Sequence, residues 1–350
     1  MKIVTLNLEK GWRGGERQTI LYTLGLLEKG YTVEIVCRSS SLLEKKAKEE
    51  NIVSHSFRSN FSTLLFLITK GYKYDILHAQ GSKVLTYCIL SKPFHRAKII
   101  FTRRVNFKPK GILTKIKYKL CDRIVAISSS IQTIVSEFSS RNDVVIISDI
   151  ALDSPLDKSA IEENIKNINP DNKYIIGTIA ALTSEKNPFD SIRAIKILKE
   201  KRDDFIFLHF GDGPLKKNMI EFINQLGIEK TYLLMGFTKN VNDYFKTMDV
   251  FIMASSNEGL CSSVLDSFIY RVPVVSTTAG GLGDLIKEDR AIRCEVNNPN
   301  MIADGIDSIL NTPEKASDRV NNAYQYAIKN HGIEYITNQY IELINEICPK

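Results

Sequence analysis

Long apolar runs are absent from this 350-residue sequence. Its most lipid-like stretch, Phe61 to Thr69, falls well short of the roughly 20 apolar residues a membrane-crossing helix needs. The first apolar run, Ile3 to Leu8, is too short for the core of a secretion signal and is followed by Glu9, so a cytoplasmic protein is expected. The cysteines at 37, 88, 121, 261, 294 and 348 are scattered and form no Cys-x-x-Cys pair. That argues against a disulfide or zinc framework and for reduced thiols. No short internal repeat is visible, and tryptophan occurs once, as Trp12.

What is present is the composition of a soluble globular chain with sizeable cores, 43% hydrophobic and 25% charged. The length suits two domains. The charge is uneven. Between Lys92 and Arg123 there are eleven Lys/Arg and a single acid, Asp122, a local +10 against +7 for the whole chain. Such a block implies an anionic partner or surface.

Apolar strand-like runs alternate with helical patterns along the chain. In the first half the runs begin at Lys2, Thr32, Asp75, Lys98, Arg123 and Val144, with helical patterns at Glu16–Glu28, Leu42–Glu50, Ser62–Thr69, Ser82–Leu90, Leu113–Leu120 and Ser130–Phe138. A polar stretch, Asp149 to Asn172, reads as a linker. The alternation then restarts at Tyr174, Phe205, Tyr232, Val250, Val272 and Ala291, and the residues from Met301 to Ile347 are helical in pattern. This alternation predicts an α/β fold of two Rossmann-like, doubly wound domains facing across a cleft. The expected division is 1–160, 161–330 and a C-terminal helix over 331–350 that returns to the first domain.

The stretch Ser256 to Asp266 follows an apolar run, holds Glu258 and Asp266 with a glycine between them, and opens a helix predicted over Ser262–Tyr270. On one helix the two carboxylates would stand about 12 Å apart, too far to grip one atom but suited to bracketing an extended ligand. Spacing alone favours the plainer reading, Glu258 as a loop carboxylate and Asp266 as a solvated helix position.

The segment Glu258-Gly259-Leu260, Asp266, Arg271-Val272-Pro273-Val274-Val275 and Gly280-Gly281 resembles the donor-site signature of family-4 retaining glycosyltransferases with the two-domain GT-B fold. The family's second acid is usually glutamate, so Asp266 is one methylene short. Leu182 to Lys186 is similar to the loop whose lysine contacts the donor diphosphate, where a cation offsets charge growing on the leaving group. An arginine common earlier in that loop is replaced here by Ala181. Gly211 lies in a turn, Gly211-Asp212-Gly213-Pro214, similar to the family's Gly-x-Gly-Pro. Gly14-Gly15 resembles the Gly-Gly loop of the first domain, where helix-start amides can face a phosphate or sugar. Trp12, beside it, has two readings, stacking on a sugar or packing on its own domain.

The resemblance implies Lys186 and Glu258 as catalytic residues. It implies Gly14, Gly15, Gly211, Gly259, Leu260, Cys261, Ser262 and Asp266 as donor-binding. His78, Arg103 and Arg104 fall on the acceptor side, the arginines suiting an acidic acceptor. A nucleotide-sugar donor, a lipid-linked or polysaccharide acceptor of cell-surface glycan synthesis, and no metal or other cofactor are expected, since no Asp-x-Asp-like motif is present. A nucleotide-sugar 2-epimerase and a non-catalytic sugar-binding protein are the rivals. The block Phe107 to Leu120 carries Ile112, Leu113, Ile116 and Leu120 on one helical face among lysines. It fits a core-facing helix with a solvated lysine face, or peripheral contact with the inner membrane. No aromatic stacking motif points to nucleic acid.

Overall fold

The computed structural model describes residues 1–153, 162, 165–238 and 241–349. They form two compact units, Met1–Ile150 with Asn330–Lys350, and Ala151–Lys329. The sequence boundary at 160 falls outside the described residues.

Unit 1 contains strands β1 (Lys2–Asn7), β2 (Thr32–Arg38), β3 (Ser54–Phe57), β4 (Ile76–Ala79), β5 (Lys98–Arg103), β6 (Arg123–Ala126) and β7 (Val144–Ile146). They form one parallel sheet in the order β3-β2-β1-β4-β5-β6-β7. Unit 2 contains β8 (Tyr174–Ile179), β9 (Phe205–Phe210), β10 (Tyr232–Gly236), β11 (Val250–Met253), β12 (Val274–Thr277) and β13 (Ile292–Cys294), parallel in the order β10-β9-β8-β11-β12-β13. A parallel sheet is covered on both faces, so its inner strands read as unbroken apolar runs. β9, Phe205–Phe210, is buried at every position. Two Rossmann-like α/β units are therefore present.

The strand order reverses between β1 and β4 in unit 1 and between β8 and β11 in unit 2. In open parallel sheets the crevice beyond the carboxyl ends of those strands is where ligands bind. The loops after β8 and β11 hold Lys186 and Glu258, and the helix that follows β1 opens at Gly14 and Gly15.

The last helix, Ile333–Ile347, belongs to unit 1 and is locked into it. Tyr340 is buried, its ring 4.6 Å from that of Tyr22 and 5.4 Å from that of His78, with its hydroxyl 3.2 Å from Thr102 Oγ1. Gly25 permits the approach, because a Cβ there would stand 2.2 Å from Thr337 Oγ1.

At the β2–β3 edge, Glu34 accepts from Lys2 Nζ at 2.6 Å, from His55 Nε2 at 2.8 Å and from the Tyr74 hydroxyl. Burial pushes this carboxyl up, but the three donors outweigh burial and hold it at about 2. The folded value lies below the ordinary 4.5, so this stabilisation is complete above about pH 4.5 and fades as pH falls toward 2. Urea unfolding followed from pH 5 to pH 2 should therefore fall less steeply in Glu34→Gln than in the wild type, the two curves converging by on the order of 2 kcal/mol. Parallel curves would remove Glu34 from the acid response.

Candidate active site

Lys186 is placed by local turn chemistry. Ser184–Lys186 forms a tight turn in which Lys186 N–H donates to Thr183 C=O at 3.2 Å and Asn187 N–H to Ser184 C=O at 3.1 Å. Asn187 then takes a left-handed φ of 48°, which asparagine tolerates better than most residues. Pro188 starts the helix Pro188–Lys201 at the position where its missing N–H costs nothing. Lys186 thus stands just ahead of a helix N-terminus.

Glu258 lies in the loop after β11, and the helix that follows begins only at Ser262. The two carboxylates therefore do not share a helix, and the 12 Å axial separation does not apply. Asp266 alone is on the helix. Both are buried, at 9% and 5% exposure, so neither is a solvated surface acid.

The loop is clamped from three directions. Ser256 N–H and Asn257 N–H donate to Glu185 C=O at 2.9 and 3.3 Å, Thr277 Oγ1 donates to Ser255 C=O at 2.6 Å, and Gly281 N–H donates to Glu258 C=O at 3.1 Å. Inside that clamp Lys186 Nζ pairs with Glu258 Oε1, which also accepts from Ser255 Oγ at 2.9 Å. Burial works against the lysine's charge, but Glu258, with Glu185 beyond it, holds the ammonium above the usual lysine range. A cation is therefore kept in place at neutral pH. Ser255 and Gly281 N–H carry the pair, and a sequence reading has no signal for the serine.

Leu260 and Cys261 are buried, while Gly259 and Ser262 are partly open. Cys261 precedes the helix with φ 86°, a costly conformation for a side chain with a Cβ. Burial and then the Glu258 carboxylate push its thiol up to about 11, against the pull of Lys186, so it is neutral at physiological pH and unsuited to nucleophilic attack.

Gly211 has φ 144°, and a Cβ on it would lie 2.0 Å from Ala180 C=O. One on Gly213 would lie 2.5 Å from Leu182 C=O. The turn after β9 therefore packs on the backbone leading to Lys186 and sets the course of that loop. His209, beside it, is buried, bonded to the Tyr232 hydroxyl at 2.7 Å and Ala180 C=O at 3.2 Å, and pushed down to about 4 by burial.

In unit 1, Gly14 and Gly15 open the helix Gly14–Glu28, so their N–H groups are among those a helix leaves without internal partners. Trp12 packs on the cluster of Ile20, Ile35 and Leu43, which favours the packing reading over sugar stacking.

The three residues expected on the acceptor side occupy different surroundings. Arg103 is 2% exposed and braces its own domain, donating to the Tyr118 hydroxyl at 2.7 Å and to Phe107 C=O. Arg104 turns the other way, with Nε 3.1 Å from Asp149 Oδ1 and Nη1 on Gln80 Oε1, beside Gly15. They are not a paired anion clamp. His78 is fully buried, 2.7 Å from Thr102 Oγ1; burial first, and the Arg104 charge second, push it down to about 3, so it is neutral and shielded. Among the described residues no three His, Cys, Asp or Glu side chains gather as a metal site would require.

Comparison with known proteins places these features. The family model described as "Glycosyl transferases group 1" matches residues 160–326, and "Glycosyltransferase Family 4" matches residues 12–149. A Campylobacter jejuni protein named "GalNAc-alpha-(1->4)-GalNAc-alpha-(1->3)-diNAcBac-PP-undecaprenol alpha-1,4-N-acetyl-D-galactosaminyltransferase" is 25% identical, over 99% of this chain and 97% of its own. Among solved structures, a glycosyltransferase from Rickettsia africae has a TM-score of 0.87 at 22% identity, covering 100% of this chain and 99% of its own. Anabaena HepE in complex with UDP has a TM-score of 0.86 at 16% identity, covering 99% and 100%. At these identities the structures speak for the fold.

Proposed function

The chain belongs to the family-4 glycosyltransferases, and from that premise we propose that it is a retaining enzyme moving a sugar from a nucleoside diphosphate sugar to a lipid-diphosphate-linked glycan in cell-surface glycan synthesis. The observation that carries this reading is the buried Lys186–Glu258 pair at the strand-order reversal of unit 2. We assign the donor to unit 2 and the acceptor to unit 1.

Lys186 transfers its ammonium from Glu258 to the donor diphosphate and offsets charge as the bond from the anomeric carbon to phosphate oxygen breaks. Glu258, so released, accepts from hydroxyls of the donor sugar. Asp266 and the helix start at Ser262 serve the nucleoside side. The acceptor oxygen bonds to the anomeric carbon on the face the phosphate leaves, and its proton passes to the leaving phosphate oxygen. A covalent enzyme intermediate has no support in the neutral Cys261 thiol. With a fixed cation in Lys186, the reaction runs without a divalent metal.

The lipid-linked acceptor is supported by the undecaprenol-linked substrate in the name of the Campylobacter relative. The comparisons lend no support to the epimerase reading. The test is a panel of nucleotide-sugars incubated with undecaprenol-diphosphate-linked glycans in detergent, scored for nucleoside diphosphate release with and without EDTA. Release that needs the lipid-linked acceptor and survives EDTA is expected. Release without any acceptor would revive the epimerase or a hydrolase, and loss with EDTA would overturn metal independence.

A further inference from the structure

The sequence left two orientations open for the helix Ile112–Leu120, and the observed one is the inverse of an ordinary core helix. Its apolar stripe faces out, with Ile112 70% and Leu113 78% exposed and Ile116 and Leu120 each at 45%. What turns inward is Tyr118, fully buried, and Lys117, whose ammonium donates to the carbonyl and hydroxyl of Ser82, both at 2.9 Å, and to Thr86 Oγ1 at 3.2 Å. Phe107, just before the helix, is 60% exposed against the Arg103 guanidinium.

Cations surround this ridge. Lys108, Lys110 and Lys119 are exposed and have no carboxylate partner among the described residues. The one acid of the region, Asp122, is already engaged by Lys92 at 3.4 Å and Lys98 at 3.6 Å. No helix of the described residues is long and apolar enough to cross a membrane, so the ridge is not the end of a span.

An aliphatic ridge rimmed by unpaired lysines fits one class of surface, an anionic bilayer, with the apolar side chains at the acyl boundary and the ammonium groups on lipid phosphates. A second copy fits poorly, because a two-fold contact would set the same lysines against each other. Nucleic acid offers phosphates but nothing for the aliphatic side chains.

We propose that the ridge of Ile112, Leu113 and Ile116, with Lys108, Lys110 and Lys119, docks this chain on an anionic lipid bilayer; this rests on the reading of a lipid-linked acceptor and adds the surface by which the enzyme reaches it. The test is sedimentation of the full chain with vesicles of phosphatidylglycerol and phosphatidylcholine, or of phosphatidylcholine alone, at low and high salt. Binding to the anionic vesicles that weakens with salt is expected. The double substitution Ile112→Ser with Leu113→Ser should lower the partition coefficient by about 10-fold. Lys108→Glu with Lys110→Glu should do the same, and both variants should melt like the wild type because the residues are exposed.

Unchanged partition of the variants, or equal binding to neutral vesicles, would overturn the proposal. So would a dimer, seen by sedimentation equilibrium, that the same substitutions dissolve. Transfer to a lipid-linked acceptor in detergent separates the two ideas: a wild type that binds anionic vesicles through this ridge but transfers to no such acceptor leaves the docking face standing and removes the acceptor reading.

Discussion

Replacing Lys186 by alanine should lower turnover by about 10³-fold, the scale of removing one group that stabilises developing charge. The substitution also strands Glu258, which is buried and shares its Oε1 between Lys186 and Ser255. A stability loss of about 1–3 kcal/mol is therefore expected from the orphaned carboxylate alone. A double substitution, Lys186→Ala with Glu258→Ala, separates the two effects. It removes both charges, so stability should return toward wild type while turnover stays low. Stopped assays for nucleoside diphosphate release, beside thermal unfolding, read both quantities. Turnover that recovers together with stability would reduce the pair to a structural ion pair.

The second large effect comes from a single methyl group. A Cβ on Gly281 would stand 2.0 Å from Gly259 O, 2.7 Å from Gly259 C and 3.0 Å from Leu260 Cα. All three are backbone atoms and cannot swing aside. Gly281→Ala must displace the segment that carries Glu258 and disturb the hydrogen bond that Gly281 N–H donates to Glu258 C=O. A displacement of this order costs about 10²-fold in turnover when it misplaces a reacting group. Gly283, two residues on, is the control: its nearest outside atom, Thr278 O, would be 3.5 Å from a new Cβ, an ordinary contact. Gly283→Ala should keep near-wild-type rates, and equal losses in the two variants would show that the close approach at Gly281 does not govern the site.

Most inner strands are legible because they are short, mainly apolar runs ended by polar or turn residues, as at Val250–Met253. β3 was missed. Ser54–Phe57 is half-buried at every position, so hydrophobicity gives it no signature, and it is a strand because β2 offers it a free edge. Period alone finds the stripe on Ile112–Leu120 without saying whether it faces the core; Tyr118, on the other face, takes the interior.

The site was legible in part. Motifs named Lys186 and Glu258, yet their direct pairing spans 72 residues of sequence and depends on a fold that brings the ends of β8 and β11 together. Adjacency in sequence suggests a pair for Arg103 and Arg104. Neighbouring residues at the end of an extended strand point to opposite sides, so adjacency in sequence divides them in space. The tyrosine that closes over His78 comes from position 340, a distance no local pattern reports.

The path of the chain has a practical consequence. It leaves unit 1 after Ile150 and returns at Asn330, and the returning helix packs Tyr340 against Tyr22 and His78, whose rings also touch each other. In chain order unit 2 is thus a cassette inserted within unit 1, which resumes after it. With the donor assigned to unit 2, as proposed, exchanging donor specificity with a relative calls for grafting that cassette and leaving residues 330–350 with their host, whereas a chimera joined at a single point near residue 150 would bring a foreign helix to the surface where Tyr340 and Thr337 pack on Tyr22, His78 and Gly25.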